Sequence, residues 1–271
     1  MNPEDKFKTK EQIIWCPGCG NFGILTALPR VLAKMNLNSD QVLAVYGIGC
    51  HGHLANYLNT NSVVGLHGRS LPLAMGAKIA NQKLTVLAMV GDGDQLAEGT
   101  NHLVHAARKN PNITCLIHNN QLYSLTVGQA SPTSEKGVKT RSTPAGNYSQ
   151  PLNPLSLALV SGASFVARAF VGDVPHLVEV LVQAIRHKGF SLVDILQPCV
   201  TLNRLNTFSW YRERVYKLEE TDYSPDNKVR AFEKTQEWGE KIPLGVFFQQ
   251  TRPTLEENIL PQKDLFYPNS L

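Results

Sequence analysis

Two periods alternate along the first three quarters of the chain. Short apolar runs at 42–46, 84–90, 113–117, 164–170 and 190–196 have the length of buried strands. Between them, 71–81, 95–109, 156–160 and 174–187 carry apolar residues at the three-and-four spacing of helices. Strand, helix and strand in regular succession imply βαβ units. Parallel strands need a crossover long enough to hold a helix, and those helices then cover both faces of the sheet. The pattern therefore predicts an α/β protein, a three-layer αβα arrangement around a parallel sheet. After Asn206 the alternation stops, so 207–271 is read as a helical piece and an extended arm following a principal unit of residues 1–206. The stretch 128–150, rich in Ser, Thr, Gly and Pro, reads as one long loop, a length that is usually functional when ordered.

Ligands of such sheets bind beyond the carboxyl ends of the strands. Here those ends run into "GIGCHGH" (47–53), "GDGD" (91–94), "HNNQLYS" (118–124) and "QPC" (197–199). All four stretches carry polar or thiol chemistry that a sheet core does not need.

Composition narrows the class. A net charge of +4, dispersed along the chain, gives no basic stripe for nucleic acid. The N-terminal segment is charged where a signal peptide needs an apolar core, and no apolar run approaches the roughly 18–20 residues of a membrane span. The expectation is a cytoplasmic protein, in which five cysteines serve as ligands, reactive thiols or core residues rather than disulfides.

Gly91-Asp92-Gly93 and Asn119-Asn120 are separated by 25 residues, one βαβ crossover, so both loops fall side by side. A carboxylate and an amide oxygen there form a hard-oxygen site suited to Mg²⁺, which keeps positions open for substrate phosphates. The flanking glycines admit a diphosphate close to the backbone, and the following helix presents its N-terminal partial charge. This arrangement resembles the thiamine diphosphate-binding motif. The resemblance assigns Mg²⁺ to Asp92, the Asn120 side chain and the Leu122 carbonyl, and the diphosphate to Gly93 and Asp94.

Cys16 and Cys19 form a Cys-x-x-Cys, while Cys50 and Cys199 sit at strand ends; Cys115 reads as a core position. Four thiolates suit a Cys₄ zinc or a cubane iron–sulfur cluster, and their spacing does not choose between the two. "WCPGCGN", "GIGCHGH", "HGRSLPLAMGAKIAN", "GDGD…HNN" and "GQASPTS", in this order, with "WYRERVY" and "EWGEKIPLGVF" after them, resemble the β subunit of two-subunit 2-oxoacid:ferredoxin oxidoreductases, among them the 2-oxoglutarate and pyruvate synthases.

The resemblance implies the thiamine diphosphate-binding fold and one [4Fe-4S] cluster on Cys16, Cys19, Cys50 and Cys199. It also implies cofactor contacts from Ile48, Gly49, Cys50, His51, His67, Ser124 and Leu125. The implied reaction is decarboxylation of a 2-oxoacid (2-oxoglutarate or pyruvate) on thiamine diphosphate. Electrons leave through the cluster to ferredoxin and the acyl group goes to coenzyme A. The activating glutamate is expected in a partner α subunit, so the isolated chain is expected to turn nothing over. His51 and His53 depart from the family pattern, in which small and then often basic residues follow the cysteine; His53 is expected at the distal end of the substrate. Relatives often read "YGLTKGQ" where this chain has "YSLTVGQ", with Val127 in place of a lysine that would pair with a second carboxylate. Rival readings are a non-redox thiamine enzyme half, an iron–sulfur subunit with a vestigial diphosphate site, and a zinc-stapled nucleotide-binding module.

Overall fold

Apolar runs flanked by amphipathic segments fold as the pattern requires. The computed structural model describes residues 2–259. Its helices and strands run α1 (Asn21–Lys34), β1 (Val42–Tyr46), α2 (Leu54–Tyr57), β2 (Asn61–Val64), α3 (Ser70–Ala80), β3 (Thr85–Gly91), α4 (Thr100–Lys109), β4 (Thr114–Asn119), β5 (Leu122–Tyr123) and β6 (Gln129–Ala130). They continue with α5 (Pro154–Val160), β7 (Phe165–Phe170), α6 (Val174–Arg186), β8 (Ser191–Leu196), α7 (Phe208–Arg212), β9 (Val215–Lys217), α8 (Lys228–Thr235) and β10 (Ile242–Gln249). The main sheet has the order β2-β1-β3-β4-β8-β7-β10-β9, and β5 pairs with β6 in a separate hairpin.

Alternation along each strand divides the core into two layers. Leu87 and Met89 of β3 pack with Ile24 and Leu28 of α1 and Leu177 and Leu181 of α6. Val86, Ala88 and Val90 face the other way, onto Leu71 of α3, Leu103 of α4 and Leu155 of α5. Each such Leu, Ile, Val or Met side chain, fully buried, contributes roughly 2 kcal/mol. The strand ends between the layers are thereby held rigidly, which a cofactor site requires.

The first six strands in the sheet order are mutually parallel. The C-terminal segment differs from the expected helical piece and arm. It supplies β10, which pairs antiparallel with β7, and β9, which pairs parallel with β10. Pro243 and Gly245 within "IPLGVFFQ" read as strand breakers, but β10 tolerates both beside the short strand β9, with Gly245 at a positive φ of 107°. The remainder of the predicted arm, 260–271, lies outside the described residues. Helix α1 and edge strand β2 are also additions to the sequence reading.

From β1 the chain steps outward to β2, then returns across β1 to β3. This reversal opens a crevice between the carboxyl ends of β1 and β3. "GIGCHGH" and "GDGD" leave those two ends.

Candidate active site

A carboxylate at a strand end, with its backbone buried between two helical layers, must find donors there. Asp92, directly after β3, is buried, and its Oδ2 accepts from Ser131 Oγ and Thr133 Oγ1, each at 2.6 Å. Backbone N–H groups of Asn120 and Gly93 also point to it. Burial raises its pKa to about 6, against the downward pull of those donors. Thr133 Oγ1 also lies 3.1 Å from Asn119 Oδ1, and Asn119 Nδ2 donates to Asp194 Oδ1 at 2.9 Å. β3 and β4 are neighbours, so the carboxylate and the Asn119-Asn120 pair lie on adjacent strand ends as the spacing predicts. Asn120 Oδ1 accepts from the Leu122 N–H at 3.0 Å across a reversal made by Gln121 at φ 61°. Hard oxygen donors, one of them ionisable, therefore surround one loop junction, and this donor set fits Mg²⁺.

Asp94 turns its carboxylate inward. Its Oδ1 accepts from Gly68 N–H at 2.7 Å and Ile48 N–H at 3.3 Å, and lies 3.0 Å from His67 Nδ1. Its Oδ2 is buried without a hydrogen-bond partner. Asp94 thus knits together the loops after β1 and β2. It stands at the first position of a single π-helical turn, Asp94–Glu98, that leads into α4. Glycine at 47 is required here: a Cβ would come within 1.8 Å of Asp94 Oδ2. Gly93 likewise packs under the Tyr123 ring, whose hydroxyl donates to the Gly93 carbonyl at 3.2 Å.

His51 sits deeper than its neighbours. It is buried, stacked against Gly49 and Gly91, 3.9 Å from Asp94 Oδ2, with its ring 5.4 Å from that of His118. Burial holds His51 well below the usual histidine range and brings His118 down to about 3, so both rings are neutral at physiological pH. His118 Nδ1 lies 3.0 Å from Asn21 Oδ1. Among the expected cofactor contacts, Ile48 and Leu125 are exposed and Gly49, Cys50, His67 and Ser124 are half-buried, forming an open rim.

Cys16, Cys19, Cys50 and Cys199 all line one cavity of about 360 Å³, together with His53, Asn120, Ser124, Leu125, Val127 and Gln197. The sequence scatters these cysteines over 184 positions, and the fold brings them to one wall. Gly18, at φ 79°, turns the Cys-x-x-Cys loop, and the Trp15 indole donates to the Cys50 carbonyl at 2.7 Å. Burial raises the Cys50 thiol to about 11, helped by the neighbouring Cys19, Cys199 and Cys16 thiols; burial also raises Cys19. Cys115 is buried inside β4, apart from this cavity, as a core residue. Among the described residues no three His, Cys, Asp or Glu side chains converge closely enough to hold a single metal ion. The four cysteines share one cavity, and by type this donor set fits an iron–sulfur cluster.

Ser131 and Thr133 were not singled out by sequence reasoning, although both hydroxyls bind the central carboxylate. Their signal was a Ser-x-Thr pair inside an otherwise featureless long loop. Gly47 and Gly68 were missed for a similar reason: a glycine's close approach shows only once its neighbour is in place.

Residues 41–195 match the family model described as thiamine pyrophosphate enzyme, C-terminal TPP binding domain. Residues 199–264 match the family model for the C terminal of the pyruvate ferredoxin oxidoreductase beta subunit. The chain is 43% identical over 268 residues to a 2-oxoacid:ferredoxin oxidoreductase subunit beta of Saccharolobus solfataricus, covering 94% of this chain and 88% of the relative. It is 44% identical over 271 residues to subunit beta of 2-oxoacid:ferredoxin oxidoreductase 1 of Aeropyrum pernix, covering 96% and 85%. A solved 2-oxoglutarate:ferredoxin oxidoreductase from Magnetococcus marinus, with 2-oxoglutarate, coenzyme A and succinyl-CoA bound, superposes with a TM-score of 0.92. That similarity covers 95% of this chain and 88% of the solved one at 37% identity. Among the described residues no helix is long and apolar enough to cross a membrane.

Proposed function

The chain belongs to the 2-oxoacid:ferredoxin oxidoreductase β subunits, and from that premise we propose that its strand-end crevice holds thiamine diphosphate through Mg²⁺ while its four-cysteine cavity holds a [4Fe-4S] cluster. One observation carries this reading: Asn120, on the metal side, lines the same cavity as all four cysteines. A two-electron oxidation and a one-electron exit would then be neighbours, as a ferredoxin-linked decarboxylase needs.

When bound, thiamine diphosphate supplies the electron sink for loss of CO₂ from a 2-oxoacid, and an iron–sulfur cluster supplies one-electron transfer. Asp92, Asn120 and the Leu122 carbonyl hold the metal, with Ser131 and Thr133 fixing the Asp92 carboxylate. The Gly93-Asp94 turn meets the diphosphate, and Asp94 braces Ile48 and Gly68 around it. His67 faces Asp94 and Glu98 at 3.0 and 3.3 Å and orients this rim. His53, Ser124, Leu125 and Val127 line the substrate's approach. Val127 carries no charge for a second carboxylate, which favours pyruvate or a broad range over strict 2-oxoglutarate use. The α subunit supplies the activating glutamate, ferredoxin takes the electrons and coenzyme A takes the acyl group, in the cytoplasm.

The test is oxygen-free co-purification with the α subunit. Brown protein with about four irons per β chain, bound thiamine diphosphate and 2-oxoacid- and CoA-dependent viologen reduction is the expected result. Colourless protein containing zinc, or turnover by the isolated chain, would overturn it.

A further inference from the structure

Cys19 has a neighbour that the proposed function leaves unused. Gln197 is buried, and its side-chain nitrogen donates to Cys19 Sγ at 3.7 Å. Among the described residues, no other cysteine sulfur receives a side-chain hydrogen bond in the structure. The Gln197 main-chain N–H donates to the Asn119 carbonyl at 2.9 Å, beside the metal-site amide of Asn120. One residue therefore touches the thiol cavity with its side chain and the Asn-Asn loop with its backbone.

The fit around this side chain is close. A Cβ at Gly20 would stand 2.8 Å from Gln197 Cγ and 3.0 Å from the Pro198 nitrogen. The Gly20 N–H donates to the Pro198 carbonyl at 3.1 Å, pinning the start of α1 against the 197–199 loop. Gln197 Oε1, meanwhile, is buried with no partner. Leaving a buried acceptor unpaired is unfavourable. A leucine would fill the same space without that cost, so packing alone does not call for an amide. The N–H···S contact is what the amide provides.

Resting on the assignment of the thiol cavity to a cluster, we propose that Gln197 is a positioning residue that raises the cluster's reduction potential through its hydrogen bond to the Cys19 sulfur. Reduction adds one electron and makes the sulfurs more negative, so a donor there stabilises the reduced state more than the oxidised one. The contact also ties that effect to the Asn119 loop, because the same residue anchors both.

The experiment is an EPR-monitored dithionite titration of the oxygen-free αβ complex carrying Gln197→Leu or the equally uncharged Gln197→Met. Both variants are expected to keep the wild-type iron content and to be about tenfold harder to reduce, a midpoint roughly 59 mV more negative for one electron. Gly20→Ala, which displaces the amide, is expected to shift the midpoint in the same direction. Midpoints within about twofold of wild type in both Gln197 variants, at full iron content, would overturn the proposal and leave the cluster assignment standing. Loss of iron from both variants in a folded complex would make Gln197 a structural support of the cradle, again overturning it. A wild-type complex with no iron–sulfur signal would remove the cluster assignment and this proposal together.

Discussion

At the ends of β3 and β4, Asp92 already accepts two hydroxyl hydrogen bonds at 2.6 Å, whereas of the four thiols nearby Cys19 accepts from Gln197 at the longer distance of 3.7 Å. The oxygen crevice is organised by protein groups alone. The sulfur cavity is organised by loop geometry, and burial keeps Cys19 and Cys50 protonated, the latter up to about 11. In the proposed assignment ligation would drive off protons there, and the free energy of assembly would come from metal–thiolate bonds rather than from a preformed charge pattern. The contrast teaches that one site selects its ligand by shape and donors, while the other is completed by what enters it.

The largest effect should follow removal of the one ionisable oxygen ligand. Asp92→Asn keeps an oxygen for Ser131 and Thr133 but loses the negative charge, so Mg²⁺-dependent thiamine diphosphate affinity should fall on the order of a thousandfold, about 4 kcal/mol. The metal-free protein should respond in the opposite sense. Asp92 has a folded pKa of about 6, above its unfolded value of 3.8, so its contribution to stability is complete at low pH and declines as pH rises through 6. At pH 8 the metal-free Asp92→Asn complex should melt no lower than wild type. A lower melting temperature there would mean that the crevice is not paying an electrostatic cost for its function. Cys50→Ser is the counterpart in the other site: iron should fall from about four per chain to near none, while thiamine diphosphate affinity changes less than about threefold. Equal loss of both cofactors would erase the distinction between the sites.

A smaller effect should follow loss of the supporting hydroxyls. Ser131→Ala or Thr133→Val removes a hydrogen bond that favours ionised Asp92, so its pKa should climb further above 6. Cofactor affinity should drop about tenfold at neutral pH and recover in part at pH 8, as expected for outer-shell partners of a metal ligand. Isothermal titration across that pH range checks both the size and the direction.

The two sites were unequally legible in the sequence. Gly91-Asp92-Gly93 and Asn119-Asn120 could be paired because one βαβ crossover has a fixed reach, and strands 42–46, 164–170 and 190–196 were marked by apolar content alone. The cysteines were legible as types and as strand-end positions, but their meeting across 184 residues followed from family resemblance, since no local rule joins α1's approach to the loop after β8. Ser131 and Thr133 stayed hidden because a loop's return path depends on tertiary packing. β10 stayed hidden because Pro243 and Gly245 signal a break locally, while its neighbours β7 and β9 allow a strand. Propensity lost to tertiary context in both places.

The smallest predicted effect concerns the wall that the crevice and the cavity share. Val127 lines the four-cysteine cavity, half exposed, with a φ of 72°, a left-handed conformation that a β-branched residue adopts only at a cost. Its backbone N–H donates to the Ser124 carbonyl at 3.1 Å, and Gly128 follows at φ 92°, so the tight turn after β5 fixes this geometry rather than the side chain. Lysine is unbranched at Cβ and would sit here with less strain, bringing a cation to the substrate's distal end beside His53. Val127→Lys should therefore leave iron content and cofactor affinity as they are and raise the 2-oxoglutarate-to-pyruvate ratio of kcat/KM by roughly fivefold, about 1 kcal/mol, the scale of a partly exposed ion pair. Val127→Met, equally unbranched but uncharged, separates the two causes. If Met shifts the ratio as far as Lys, relief of backbone strain accounts for the change and charge recognition at this wall is excluded; if only Lys shifts it, specificity resides in the charge.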